Sequence, residues 1–114
     1  MTMEIPAALI EALRNVANLI ADAEWEILTK VAPSSRVRWS DVARVTSTYG
    51  KTFVHLPASA SVYIDGLRTP DGTWEIRCAL WTREEGRSDL EMRATAREVF
   101  DGIWQVDVDD VLVP

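Results

Sequence analysis

The chain of 114 residues, with 47% hydrophobic and 26% charged side chains, has the size and composition of a single domain, expected to span residues 1–114. Its one cysteine excludes an intrachain disulfide, and the sequence has neither a signal-peptide pattern nor a long apolar run; we therefore expect a cytoplasmic protein without membrane contact. The formal net charge of −6 lies in residues 58–114, which hold twelve acidic and six basic side chains; this acidity disfavours nucleic acid and favours a protein partner with a basic surface.

Residues 1–50 are predicted to be mainly helical. Apolar residues recur there at alternating spacings of four and three, which is typical of one helix face. The recurring residues are Leu9, Leu13, Val16, Ile20, Ala23 and Ile27. The spacing predicts a long N-terminal helix from about Pro6 to about Val31. A short second helix is predicted to begin at a Ser40 cap and to end at Gly50.

Residues 58–114 are predicted to form a four-stranded antiparallel β-meander. Three Asp-Gly or Glu-Gly pairs, ending at Gly72, Gly86 and Gly102, supply the glycine that a tight strand reversal requires. They separate four strands over residues 61–69, 73–82, 88–99 and 103–113. The fold class is therefore α+β, with the two helices packed on one face of the meander.

Apolar and polar residues alternate along these strands, so one face is expected to be buried and the other solvated. The predicted core combines helix and strand residues: Leu13, Val16, Ile20, Trp74, Ile76, Leu80, Leu90, Met92, Trp104 and Val106. On the solvated face, charged side chains are expected to form cross-strand ion pairs; these are Glu75, Arg77, Glu91 and Arg93. The same alternation assigns Asp110 to the buried face, beyond the core or in a pocket.

Trp81 is the one aromatic residue that the alternation places on the polar face. It precedes a charged turn, and an exposed tryptophan beside arginine is typical of an interface hot spot. The predicted partner-binding residues are Trp81, Arg83, Glu84, Glu85 and Arg87, with Asp107 and Asp109 on the last strand setting the association rate. In the alternative interpretation, the turn's acids, arginines, Ser88 and Asp89 simply close the turn on itself.

The segment from Leu80 to Leu90 reads Leu-Trp-Thr-Arg-Glu-Glu-Gly-Arg-Ser-Asp-Leu and follows a strand that contains Trp74. It resembles the strand-turn-strand core of a small bacterial family of uncharacterised domains, in which a helix precedes a β-meander. The resemblance covers mainly residues 60–112. That family is similar in size and organisation to immunity proteins that neutralise secreted bacterial toxins. The resemblance thus implies a toxin inhibitor, and it carries over no catalytic residue.

Enzyme chemistry finds little support in the sequence. His55 is the only histidine, Cys78 is assigned to the buried face, and no phosphate-binding or nucleophile motif is present. The carboxylates of Glu84, Glu85 and Asp89 lack the ligand spacing of a calcium loop. We expect no catalytic residue, no metal and no cofactor.

The sequence therefore predicts a non-enzymatic protein-binding module, an immunity protein that meets a toxin with its acidic sheet. Two alternatives stay open. One is a cystatin-like or nuclear-transport-factor-like domain with a small-ligand or catalytic pocket near Asp110. The other is a homodimeric structural protein that pairs through its sheet or an edge strand.

Overall fold

The computed structural model describes residues 4–114, and its architecture is α+β. Three α-helices come first: α1 is Ala7–Ala21, α2 is Trp25–Val31 and α3 is Trp39–Tyr49. A short strand β1, Phe53–Val54, leads to a 3₁₀ helix, Ala58–Tyr63. The remaining strands are β2, Ile64–Arg68; β3, Trp74–Thr82; β4, Gly86–Phe100; and β5, Ile103–Leu112.

The predicted long N-terminal helix is divided in two. Ala23 adopts a left-handed conformation with φ of 55°. Its N–H bonds to the carbonyl of Ile20, and the Glu24 N–H bonds to the carbonyl of Leu19, 3.1 and 3.0 Å away. These two bonds are those of a Schellman motif, which ends a helix. The chain thus changes direction after α1, and the apolar stripe does not continue: Ile27 is 42% exposed.

The second predicted helix is present as α3, and its boundaries differ slightly from the prediction. The helix begins at Trp39 after Arg38, with no side-chain cap, so Ser40 is not the cap residue. Its first residue stacks on Trp25 of α2, with ring centroids 6.3 Å apart. Gly50 ends it in a left-handed conformation, as the sequence predicts. Aromatic packing between α2 and α3 takes the place of a capping hydrogen bond at this start.

The sheet contains the predicted antiparallel meander, in the order β2-β3-β4-β5. The glycines at its three turns all have positive φ. A fifth strand, β1, lies outside the four predicted strands; it pairs with the end of β3 at Phe53–Thr82 and Val54–Trp81. Thus β1 and β2 lie along the same edge of β3.

The core lies between the helices and the inner face of the sheet. Nine of the ten predicted core residues are buried, and Trp104 is only partly buried against them. Buried residues alternate along β3, whose inner side carries Trp74, Ile76, Cys78 and Leu80. The opposite side of the sheet is its outer face, and on β3 it carries Glu75, Arg77, Ala79 and Trp81.

The hairpin of β4 and β5 extends beyond the end of β3. Trp74 at the start of β3 pairs with Ala96, so residues 97–105 form a two-stranded arm without a third strand. Its tip exposes Val99, Phe100 and Ile103, which are 50, 72 and 57% accessible. The arm lies at the opposite end of the sheet from the turn that follows Trp81.

Candidate functional site

The outer face of the sheet ends in a cluster of three side chains in mutual contact, Tyr63, Trp81 and Arg87, which we call the aromatic cluster. The ring centroids of Tyr63 and Trp81 lie 5.8 Å apart, and the Arg87 guanidinium carbon lies 4.4 Å from the centre of the Tyr63 ring. Trp81 and Arg87 are cross-strand partners on β3 and β4. Next to Tyr63 along the chain, Val62 is 75% exposed. Strand pairing and side-chain contacts thus bring these three residues together at the surface.

Glu84 bonds to the connection between α3 and β1. Its carboxylate oxygens accept hydrogen bonds from the Thr52 backbone N–H at 2.7 Å and from the Thr52 hydroxyl at 2.9 Å. These bonds stabilise the charged form and hold the pKa of Glu84 below its ordinary value. The Arg83 backbone N–H donates a hydrogen bond to the Thr52 carbonyl at 2.9 Å. The turn is therefore docked on residues more than thirty positions away.

Glu85 also bonds within the fold. Its carboxylate accepts hydrogen bonds from the Tyr49 and Thr82 hydroxyls, both at 3.2 Å. The Tyr49 hydroxyl in turn accepts a bond from the Asp89 backbone N–H at 3.0 Å. Desolvation is the main cause that raises the pKa of Tyr49, so this phenol stays neutral. Within residues 4–114, neither Glu84 nor Glu85 forms a salt bridge with an arginine, contrary to the self-closing turn of the alternative interpretation.

Asp107 is buried, with 7% of its surface accessible. One carboxylate oxygen accepts a hydrogen bond from the Ser34 backbone N–H at 3.0 Å, and the other accepts one from the Gln105 side chain at 2.7 Å. Asp109 is partly exposed, accepts a 2.6 Å bond from the Thr95 hydroxyl, and lies 3.8 Å from Arg36. Asp107 thus presents no free oxygen to a partner, and Asp109 presents little.

A β-bulge explains the position of these acids. Ala94 pairs with Val108, whereas the preceding Arg93 pairs with Asp110, so Asp109 is an extra residue on β5. The extra residue reverses the alternation beyond it. Asp110 is therefore exposed and Val111 is buried, which corrects the assignment of Asp110 to the inner face.

The outer face carries more acidic than basic side chains. Six acids and four arginines lie there, namely Asp65, Glu75, Glu91, Asp107, Asp109 and Asp110 with Arg77, Arg87, Arg93 and Arg97. Further acidic side chains lie at the turns and at the arm: Asp71, Glu84, Glu85, Glu98 and Asp101. The negative charge of the second half is thus concentrated at the ends of the strands.

Of the two side chains that could support nucleophilic chemistry, Cys78 is buried in the core and His55 is exposed at the surface. Cys78 is fully buried, and desolvation raises the pKa of its thiol to about 12, so it is protonated at neutral pH. His55 is exposed, and its Nε2 lies 2.7 Å from an Asp22 oxygen.

Within residues 4–114, no helix combines the length and apolarity that crossing a bilayer requires.

Of the predicted site residues, the structure brings Trp81 and Arg87 together and directs Glu84 and Glu85 away from them, toward Thr52 and Tyr49. Arg83 has an exposed side chain. Tyr63 was not among the predicted site residues; its only signal in the sequence is an aromatic residue beside Val62 at the start of a predicted strand.

Comparison with known proteins gives a family and no function. No curated protein matches the chain, and neither does any solved structure. Residues 17–114 match the profile of a domain of unknown function, DUF7668. The match spans most of the chain, including α2, α3 and every strand, so the chain belongs to the DUF7668 family.

Proposed function

We propose that the protein is a non-enzymatic protein-binding module whose contact energy is concentrated in the aromatic cluster. The observation that carries the proposal is the mutual contact of Tyr63, Trp81 and Arg87 at the protein surface, with Arg87 over the Tyr63 ring and the two rings tilted against each other. Tyrosine, tryptophan and arginine are the residue types most enriched in interface hot spots. Side chains that already pack on one another lose little further conformational freedom on binding, so more of their contact energy is available as affinity.

The hydrogen bonds of the turn support this role indirectly. Glu84 and Glu85 hold the β3–β4 turn against Thr52 and Tyr49, which fixes the ends of the two strands that carry Trp81 and Arg87. In this proposal the two glutamates position the aromatic cluster. Their charge, with that of the nearby Asp89, also attracts a partner with a basic surface.

A finer proposal is that the partner is a bacterial toxin. It rests on the resemblance of residues 80–90 to a bacterial family organised like immunity proteins, and on a net charge of −6 that suits a basic target. A toxin reading frame beside the gene would favour this partner class over others. The protein-binding role itself does not depend on it.

The test begins with recovery of a partner by pull-down and continues with binding kinetics. We expect Trp81→Ala to weaken binding by about 2 kcal/mol, roughly thirtyfold in Kd, mainly through a faster dissociation rate. Because Trp81 is partly buried, its truncation also affects folding stability, and Val62→Asp therefore provides a second variant. The Val62 side chain is 75% exposed, and its replacement places a charge beside the aromatic cluster without disturbing the core.

Phe100→Ala is the matched control, because Phe100 is an aromatic residue, 72% exposed, at the opposite end of the sheet. We expect it to bind the partner like the parent. If Phe100→Ala weakens binding while Trp81→Ala and Val62→Asp do not, the interface lies on the arm and the proposal is wrong. Light scattering at two concentrations of the free chain separates this role from homodimer formation.

A further inference from the structure

A groove of about 550 Å³ lies on the outer face of the sheet. Its lining on β3 ends at Arg77, four residues before Trp81. Its volume is in the range of small-molecule sites. Six charged side chains line it: Arg36, Arg77, Arg93, Asp65, Glu75 and Asp109. Ionic groups of both signs thus surround a space large enough for an organic ligand.

Arg77 and Arg93 are direct cross-strand partners in the floor of this groove. Their Cβ atoms are about 5 Å apart by the geometry of antiparallel pairs, and like charges directly opposite are destabilising. On its other side each arginine lies opposite an acid, Arg77 opposite Asp65 and Arg93 opposite Asp110. Within residues 4–114, Arg77 forms no salt bridge. Arg93 uses only its Nε, which lies 3.1 Å from a Glu91 oxygen. The terminal nitrogens of both guanidinium groups therefore have donor capacity to spare.

A third guanidinium is held at the rim. The Arg36 backbone N–H bonds to the Val108 carbonyl at 2.9 Å, and the Ser35 hydroxyl accepts a 2.8 Å bond from the Val108 N–H. These bonds tie the α2–α3 connection to the edge of β5. The Arg36 side chain, 83% exposed, lies 3.8 Å from Asp109 at its Nε and keeps its other donors free. The backbone thus fixes where this side chain enters the groove.

We propose that the groove is a binding site for a small organic anion, whose carboxylate or phosphate group is held between Arg77 and Arg93. A guanidinium presents parallel donors that match two oxygens of such a group, and an anion between the two arginines would reduce the repulsion that remains between them. Asp65 on β2 and Glu75 on β3 also line the groove, and their carboxylates offer hydrogen-bond acceptors to a ligand. They favour a ligand that carries a hydroxyl or ammonium group beyond its anionic end.

The experiment uses the full chain and the probes phosphate and acetate, each titrated at constant ionic strength against sodium chloride. Backbone amides and arginine Nε–H groups are followed by NMR. We expect saturable shifts around Arg36, Arg77 and Arg93 with a Kd near 1 mM, and no comparable saturation with chloride. The tighter of the two probes identifies the ligand as a phosphate or a carboxylate.

Three variants complete the test. Arg77→Ala should raise Kd about tenfold or more, and Arg77→Lys, which keeps the charge and loses the planar fork, should also weaken binding severalfold. Arg97→Ala is the matched control, because Arg97 is an exposed arginine of the same strand as Arg93 and does not line the groove. Thermal unfolding confirms that each variant is folded. Shifts that fail to saturate, or an equal loss in Arg97→Ala, would overturn the proposal.

Discussion

Replacement of Asp107 by alanine tests whether this carboxylate stabilises the folded protein. Asp107 accepts hydrogen bonds from the Ser34 N–H at 3.0 Å and the Gln105 amide at 2.7 Å, with 7% of its surface accessible. The first bond joins the α2–α3 connection to β5, 73 residues away along the chain. Alanine would remove the acceptor from both donors, and the Ser34 N–H lies in a part-buried position where water replaces the carboxylate poorly.

The size of the effect follows from the chemistry of the bonds. A hydrogen bond to a charged acceptor contributes about 1.5 to 3 kcal/mol, and the bond to Gln105 is between neighbours on one strand and contributes less. We expect Asp107→Ala to lower the free energy of unfolding by about 2 to 3 kcal/mol. At about 4 °C per kcal/mol for a domain of this size, Tm should fall by roughly 8 to 12 °C. Urea denaturation followed by tryptophan fluorescence measures the same quantity independently.

Two comparisons make this result interpretable. Asp107→Asn keeps an acceptor for Ser34 and should cost about 1 kcal/mol or less. Asp65→Ala changes an exposed acid on β2 and should alter stability by no more than about 0.5 kcal/mol. Equal stability of Asp107→Ala and Asp65→Ala would refute the structural role, and would return Asp107 to the set of carboxylates available to a partner.

For three further substitutions, local geometry determines whether the protein becomes more or less stable. Ala23→Gly should raise the free energy of unfolding by about 0.5 to 1 kcal/mol, measured by urea denaturation, because glycine adopts the left-handed φ of 55° without strain. Gly66→Ala should lower it by about 1 to 3 kcal/mol in the same assay, because the added Cβ would lie 2.9 Å from the Ile76 Cδ1 atom. Glu84, whose pKa is lowered in the fold by its bonds to Thr52, stabilises the protein above its unfolded pKa of about 4.3 and loses this effect as pH falls through the folded pKa. Glu84→Gln should therefore flatten the acid side of the stability–pH profile.

The meander could be predicted because its signals are local. Each of its three turns has a glycine with positive φ, and each reversal needs only the residues around it. Alternation along β3 likewise predicts its buried side, since the strand is regular through Trp74, Ile76 and Cys78. Where the strand geometry is ideal, sequence position and side-chain direction correspond.

The helix break and the bulge could not be predicted in the same way. Ala23 is a strong helix former, and neither glycine nor proline marks the change of direction; the break is stabilised by how α2 packs, with Leu28 buried and Ile27 turned out. The bulge at Asp109 depends on pairing with β4, which is a property of two strands. One inserted residue exchanges the environments of Asp110 and Val111.

Part of the candidate site could likewise be predicted from local sequence, and part depends on contacts between distant residues. Trp81 could be identified from strand alternation alone, whereas its neighbour Tyr63 comes from the 3₁₀ helix before β2 and meets it only in the folded chain. In the alternative interpretation of the turn, its acids and arginines close the turn on itself. Glu84 instead bonds to Thr52, which lies 32 residues earlier, and no local pattern contains that contact.

The aromatic cluster and the anion groove lie on one face of one sheet, so their independence is itself testable. Trp81 and Arg77 are four positions apart on β3, which corresponds to about 13 Å along a strand. At that separation, and with no shared hydrogen bond, the effects of Trp81→Ala and Arg77→Ala should add within about 0.5 kcal/mol. Additive effects on the binding of a protein partner would mean that each residue contributes separately. If anion binding instead changes the partner's dissociation rate and Arg77→Ala abolishes that change, the bound anion couples the two ends of the outer face, and the groove regulates the interface rather than serving a separate ligand.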